Sequence, residues 1–160
     1  MTSLRRMEES EFVVWKEQAI PAYASDKVAS GQWSHEASLG LSRKEFEELL
    51  PKDHQTPDNH FFTILDEQFN VVGTLWFAVK TKFTSRIAYV FDVEVFPQHR
   101  RKGHAFRAFL ALEDEVQRLC LSGIALHVFG HNTSAQALYA KLGFEPTNIS
   151  LFKSVGAAGA

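Results

Sequence analysis

The sequence predicts a mixed α/β domain in which an antiparallel meander is followed by a parallel strand–helix–strand unit. Three observations carry that prediction. Apolar residues recur at helical spacing as far as Leu50 and then change to extended runs. Three such runs, "HFFTIL", "VVGTLWFAV" and "IAYVFDVEV", follow one another with short connections, so they pair antiparallel. The third leads into a long amphipathic segment and a further extended run, and a helical crossover of that kind sets its flanking strands parallel, with a right-handed connection.

Taken in order, Ser3 to Met7 reads as a short strand. Glu8 to about Ser30 is a helix built on Phe12, Trp15, Ala19 and Ile20, which Pro21 can break or kink. "GQWSHEASLG" reads as a loop. The next helix opens at Ser42 with Glu45 as a capping box, presents Phe46, Leu49 and Leu50 as its apolar stripe, and stops at Pro51. The meander strands cover 60–65, 71–79 and 87–95, with Gly73 marking a bulge or a close approach of backbones. The crossover helix, Gly103 to about Leu121, buries Phe106, Phe109, Leu110, Leu112, Val116 and Leu119. After a strand from Ile124 to Val128 comes a short helix, about Ser134 to Leu142, opened by Thr133 with Gln136 three residues on. Gly143 closes that helix in the left-handed conformation, and Phe144 packs back on it. A last strand, about Ile149 to Lys153, completes the sheet. One domain is expected over 1–155, with 156–160 as a flexible tail.

Composition narrows the function classes. With 160 residues, 45% of them hydrophobic and 22% charged, the chain has material for one sizeable core. Its formal net charge is -2, so the cluster Arg100, Arg101, Lys102 and Arg107 is a local feature and not the basic face of a polyanion binder. The single cysteine, Cys120, rules out an intrachain disulfide and, within an apolar helical pattern, reads as a buried structural thiol. "MTSLRRMEESEF" lacks the apolar core of a signal peptide and no run approaches bilayer-spanning length, so a cytoplasmic protein without a membrane partner is expected. His127 and His131 lie on a strand and a loop with no third ligand in view, and no metal is expected.

Two segments carry chemistry. "VEVFPQHRRKGHAFRAFL" is a strand, a turn with Pro97, and a helix start at Gly103. The unpaired amides and dipole of such a helix start form an anion site, and Gly103 and Ala105 let a ligand approach the main chain. The bland reading is a capped helix with solvated basic residues; the segment is neither a P-loop nor a three-glycine dinucleotide fingerprint. The second segment, "GHNTSAQALYAKLGFEP", places Asn132, Ala135, Leu138, Tyr139, Lys141, Gly143 and Phe144 at fixed spacing after the next parallel strand.

As an ordered pair these segments resemble the GNAT superfamily of acyl-CoA-dependent N-acyltransferases. Arg100, Gly103 and Ala105 match its Arg/Gln-x-x-Gly-x-Gly/Ala turn, and the second segment matches Asn-x-x-Ala-x-x-Leu-Tyr-x-x-x-Gly-Phe throughout. The close match runs from about Val90 to Phe144, and residues 1–60 fit only as the two early helices that the family places beside the acceptor. The resemblance implies that the parallel strands splay and that the pantetheine arm of acetyl-CoA, the co-substrate, lies between them. The backbone of Val93, Glu94 and Val95 would bond to pantetheine and polarise the thioester. Amides from Arg101 through Lys102, Gly103 and His104 to Ala105, with Arg100 beside them, would hold the pyrophosphate. Tyr139 takes the family position of the general acid for the thiolate, against a plain reading as a packed helix tyrosine. Asn132 would hold CoA or the backbone at the helix entry.

Asp92, Glu94 and His127 stand level as general bases, with no base at all as a further reading, because a bulge in the strand would rearrange the faces of Asp92 and Glu94. The acceptor pocket is expected from Trp15 to Trp33, the 80–86 loop and the last strands, with Tyr23, Trp33 and Trp76 either lining it or in the core. The expected activity is transfer of the acetyl group to a primary amine of a small molecule, peptide or protein by direct attack in a ternary complex. The expected partners are therefore acetyl-CoA and an amine acceptor, with a homodimer left open. A non-catalytic acyl-CoA sensor is the alternative. Nucleic-acid binding is disfavoured because no aromatic residue interleaves with the basic cluster before Phe106.

Overall fold

The computed structural model describes residues 1–82 and 84–156. Position 83 of the 80–86 loop and residues 157–160 of the expected tail lie outside the described residues. The elements are β1 (Ser3–Arg6), α1 (Glu9–Ala29), α2 (His35–Leu49), β2 (Asn59–Leu65), β3 (Val71–Lys82), β4 (Ser85–Val95), α3 (His104–Arg118), β5 (Ile124–Leu126) and α4 (Thr133–Lys141). The strands form a five-stranded sheet in chain order, antiparallel through β4, with β5 added parallel to β4. The expected mixed sheet, meander first and parallel unit second, is what forms.

Each sheet face has its own core. On one face α3 buries Ala108, Phe109, Leu112 and Val116 against Phe62, Ile64, Leu75, Phe77, Ala88 and Val90. On the other, α1 and α2 bring Phe12, Trp15, Ile20 and Phe46 onto Phe61 and Trp76, an aromatic cluster with Trp15 and Trp76 edge to face at 5.5 Å. Burying such side chains contributes roughly 1.5–3 kcal/mol each. Gly73 is required where β3 crosses β4, because a Cβ there would overlap the Glu94 carbonyl oxygen.

Several boundaries differ from the sequence reading. The second helix starts at His35, capped by the Ser34 side chain that accepts from the Ala37 amide at 3.2 Å, so most of "GQWSHEASLG" is helix and not loop. Ser42, expected as the cap, is fully buried inside α2, and its hydroxyl donates to the Ile20 carbonyl at 2.7 Å, joining the two helices. Pro21 sits within α1 without ending it. Asn132, not Thr133, caps α4. Leu110 is exposed, on the solvent side of α3. Cys120 is exposed rather than buried: α3 ends at Arg118, and Cys120 turns off the helix stripe with φ 58°. No strand forms at Ile149–Lys153; residues 145–156 are exposed and unpaired. Gly143 does close α4 with φ 92°, and Phe144 packs on Phe109 and Tyr139.

Candidate active site

Two irregularities in the sheet create the site. Parallel pairing between β4 and β5 covers Ala88–Ile124, Tyr89–Ala125 and Val90–Leu126 and then stops, while β4 continues to Val95. The strands therefore part after Val90, and the β4 edge from Phe91 onward has no β5 partner. At the same point the β3–β4 register shifts: Phe77 pairs with Val90 but Trp76 with Asp92, so Phe91 is an inserted residue. Paired residues share a face, which puts Asp92 with Trp76 on the α1–α2 side. Phe91 faces the same way, stacked on Trp76 at 4.4 Å. The bulge thus presents two consecutive residues to one face, which plain alternation forbids.

A cleft of about 520 Å³ opens there, floored by β4 and walled by α1 and α2 on one side and by β5 and α4 on the other. Asp26, Glu45, Asp92 and Glu94 bring carboxylates to it; Lys27 is its lysine, hydrogen-bonded to Gln32 at 2.9 Å and lying over Tyr23 and Trp33. Burial pushes the Asp92 carboxyl up to about 6, against the opposing effect of a hydrogen bond from the Trp15 indole N–H at 3.2 Å; the Glu94 charge adds to the rise. Burial also raises Asp26, with the facing His131 acting the other way. Tyr139 reaches the same cleft from α4, its ring edge to face with Phe109 at 5.6 Å, and burial followed by the Asp92 charge raises its phenol. Burial and the neighbouring Glu45 raise Tyr23 likewise.

The glycine turn adjoins the far end of β4. Gly103 is the N-cap of α3 with φ 79°, and no side chain caps that helix, so its first-turn amides are open. Arg101 is also left-handed, with φ 63°. Arg100 folds back, its Nε donating to the Val95 carbonyl at 2.8 Å and its guanidinium 4.0 Å from Glu94. Arg107 is a brace: it donates to the Thr2 hydroxyl at 2.9 Å and to the Lys102 carbonyl at 2.8 Å. Arg101 and Lys102 are exposed.

The structure therefore brings Asp92, Val93, Glu94, His127, Asn132 and Tyr139 to one cleft. His127 is exposed at its rim, with its ring on Phe129 at 5.1 Å. Asn132 caps α4, its Oδ1 accepting from the Ala135 amide. His104, expected to contribute its amide at the pyrophosphate, has its side chain buried and bonded through Nδ1 to the Thr2 hydroxyl at 3.0 Å. Tyr23 and Trp76 line the cleft, Trp33 packs behind Tyr23 at 5.6 Å, and among the described residues the lining draws nothing from the 80–86 loop. Sequence reasoning missed Asp26 and Glu45, which lie one helical turn from Tyr23 and Phe46 respectively or beside them, and it missed Trp15 as the partner of Asp92. Among the described residues no helix is long and apolar enough to cross a membrane, and no group of three or more His, Cys, Asp or Glu is placed to hold a metal ion.

Comparison with known proteins converges on one family. A family model described as the acetyltransferase (GNAT) family matches residues 27–144. "Uncharacterized N-acetyltransferase YycN" of Bacillus subtilis (strain 168) is 30% identical over 152 residues, 95% of this chain and 97% of that protein. The crystal structure of the same relative superposes with a TM-score of 0.93 over 98% of this chain and 100% of that one, at 29% identity. The structure of AAC(6')-Iy in complex with the bisubstrate analog CoA-S-monomethyl-acetylneamine shares the fold, with a TM-score of 0.61 at 18% identity, covering 98% of this chain and 99% of that one.

Proposed function

The chain belongs to the acetyltransferase (GNAT) family, and from that premise we propose that it transfers the acetyl group of acetyl-CoA to a primary amine of a cationic small molecule or peptide. The observation that carries this reading is the end of β4–β5 pairing at Val90 and Leu126, which leaves the β4 edge at Val93 and Glu94 without a β5 partner, in a cleft that also holds Asp92 and Tyr139.

The residues present fit acetyl-CoA. An open strand edge suits an extended arm carrying amides, and an uncapped helix start at a left-handed glycine suits a pyrophosphate. Bound, the co-substrate supplies an activated acyl thioester. Main-chain groups of Val93, Glu94 and Val95 would bind pantetheine and orient the thioester carbonyl, and the amides from Arg101 to Ala105 would hold the phosphates, with the exposed Arg101 and Lys102 beside them. Arg100 fixes the turn to β4 through Val95.

Asp92 is the general base. Its carboxyl, at about 6, is ionised at neutral pH yet basic enough to accept a proton from an ammonium on its way to the thioester. Tyr139 is the general acid; burial keeps its phenol protonated until a thiolate leaves beside it. Glu94, which shares the rim with His127, selects a positively charged acceptor together with Asp26 and Glu45. Release of free thiol from acetyl-CoA across polyamines, aminoglycosides, peptide N-termini and monoamines tests this. Acceptors with two or more positive charges are expected to give the highest kcat/KM, and Tyr139→Phe to lower kcat at least about ten-fold. Full activity of Tyr139→Phe would remove the acid assignment, and equal use of monoamines would remove the charge selection.

A further inference from the structure

Three polar side chains outside the cleft are joined behind the glycine turn. Thr2, which immediately precedes β1, is 3% exposed; its hydroxyl lies 3.0 Å from His104 Nδ1 and accepts from Arg107 Nε at 2.9 Å. Arg107 Nη2 donates to the Lys102 carbonyl at 2.8 Å and stands 3.5 Å from the same His104 nitrogen. None of the three lines the cleft. Counting donors fixes the sense of these bonds. A guanidinium only donates, so the hydroxyl accepts from Arg107 and gives its own hydrogen to His104. Nδ1 is then an acceptor toward both neighbours, and His104 is the neutral ring with its proton on Nε2. With Thr2 and His104 both buried, any other arrangement leaves a donor or acceptor unpaired, so the group holds one geometry.

We propose that Thr2 is a positioning residue for the acyl donor: by holding Arg107 against the turn, it aims the Gly103 amide at the pyrophosphate of acetyl-CoA. This role rests on the acetyl-CoA site proposed above and names what keeps that site in shape. The carbonyl and the amide of a trans peptide point in opposite directions. Tying the Lys102 carbonyl to Arg107 therefore turns the Gly103 N–H away from the guanidinium, and that amide donates to no other described residue. The guanidinium itself lies against Gly103, where a Cβ would meet Nη1 at 2.7 Å. A glycine turn left to itself samples many conformations. The clamp removes that freedom at the one peptide that would face the phosphates, and amides held ready bind without the cost of ordering them. Thr2 can serve as the anchor because its own position is fixed. Ser3 pairs with Leu65, and Leu4 packs against the core that α3 closes.

Calorimetry of acetyl-CoA on the full chain tests this, with kinetics on a polyamine acceptor alongside. Thr2→Val keeps the shape of the side chain and removes the hydroxyl. Its dissociation constant is expected to rise roughly five-fold, the effect of one buried hydrogen bond, with KM for acetyl-CoA raised and kcat and the acceptor KM unchanged. Thr2→Ser restores the hydroxyl and should return the affinity of the parent. Arg107→Lys keeps the charge without the fork, so it should lose affinity as Thr2→Val does, and the two changes together should cost no more than either alone. NMR of the imidazole nitrogens reads the same group in the unmodified chain, and a proton on Nε2 of His104 is expected. Gly103→Glu is the control for the phosphate site. Parent affinity in Thr2→Val or in Arg107→Lys, while Gly103→Glu binds weakly, would overturn the positioning role and leave the phosphate site standing; undiminished binding in Gly103→Glu would overturn both. A loss in Thr2→Val that Thr2→Ser does not recover, a loss that falls equally on kcat, or a proton on Nδ1 would also overturn it.

Discussion

At Asp92 two influences oppose each other: burial favours the neutral carboxyl, and the Trp15 N–H favours the carboxylate. Burial prevails, and the group stands at about 6 instead of 3.8. Because the base must be ionised, kcat/KM is expected to fall as pH drops below about 6, and Asp92→Asn to lower kcat by roughly 10²-fold and abolish that limb. Trp15→Phe removes the hydrogen bond that holds the carboxyl down, so the acidic limb should move to higher pH; an unmoved limb would separate Trp15 from the base. The same shift acts on stability. A carboxyl raised on folding stabilises the native state below its unfolded value, and that contribution is lost as pH rises through the folded one. Asp92→Asn should therefore gain in melting temperature relative to the parent between pH 3.8 and about 6, and level off above that, at about 2–4 °C for each kcal/mol. Sequence could not single out Asp92, because Glu94 and His127 offered equivalent chemistry and strand alternation cannot assign faces across an inserted Phe91. What favours it for the proposed role is burial beside Trp15, a residue far away in the chain.

Among the elements, the strand–turn–helix from β4 to α3 was the most legible, since Pro97, Gly103 and the apolar stripe each impose local geometry that little else in the fold can alter. Gly103 starts the helix as expected, and the structure adds a left-handed φ of 79° that the sequence reading assigned only to Gly143. Gly103→Glu adds a Cβ 2.7 Å from the Arg107 guanidinium and a negative charge beside the open amides, so acetyl-CoA affinity measured by calorimetry should drop at least about ten-fold, about 1.4 kcal/mol. Gly103→Asn, which tolerates the same backbone without the charge, should retain more of it. Equal affinity for the glutamate variant would move the phosphates elsewhere. The start of α2 was less legible. Ser42 with Glu45 reads as the start and the residues before it as a loop, and only packing on α1, where Ser42 bonds to Ile20, decides that the helix begins earlier and runs through. The basic cluster likewise divides by contacts: Arg107 and Arg100 brace the turn, and Arg101 and Lys102 stand exposed.

At the scale of the whole molecule, the order of elements followed from periodicity, and the parting of the parallel strands from the family resemblance that the two motifs carry, while the fate of the last strand followed from neither. The Ile149–Lys153 pattern is that of a strand, but pairing is a property of the available edges, and within one chain this segment takes none. The acceptor side shows the same division. Its helices were foreseen, but the charge of the cleft arises from Asp26, Glu45, Asp92 and Glu94 meeting across three elements. That charge, the open β4 edge and the glycine turn together describe an enzyme, and the measurement that tests this most directly is the stoichiometry of transfer. With acetyl-CoA and a polyamine, the account predicts equal amounts of free thiol and mono-acetylated amine by mass spectrometry, with both lost together in Asp92→Asn. Acetyl-CoA binding accompanied by no thiol release above spontaneous hydrolysis, on any amine tried, would contradict it and leave an acyl-CoA-binding domain without turnover.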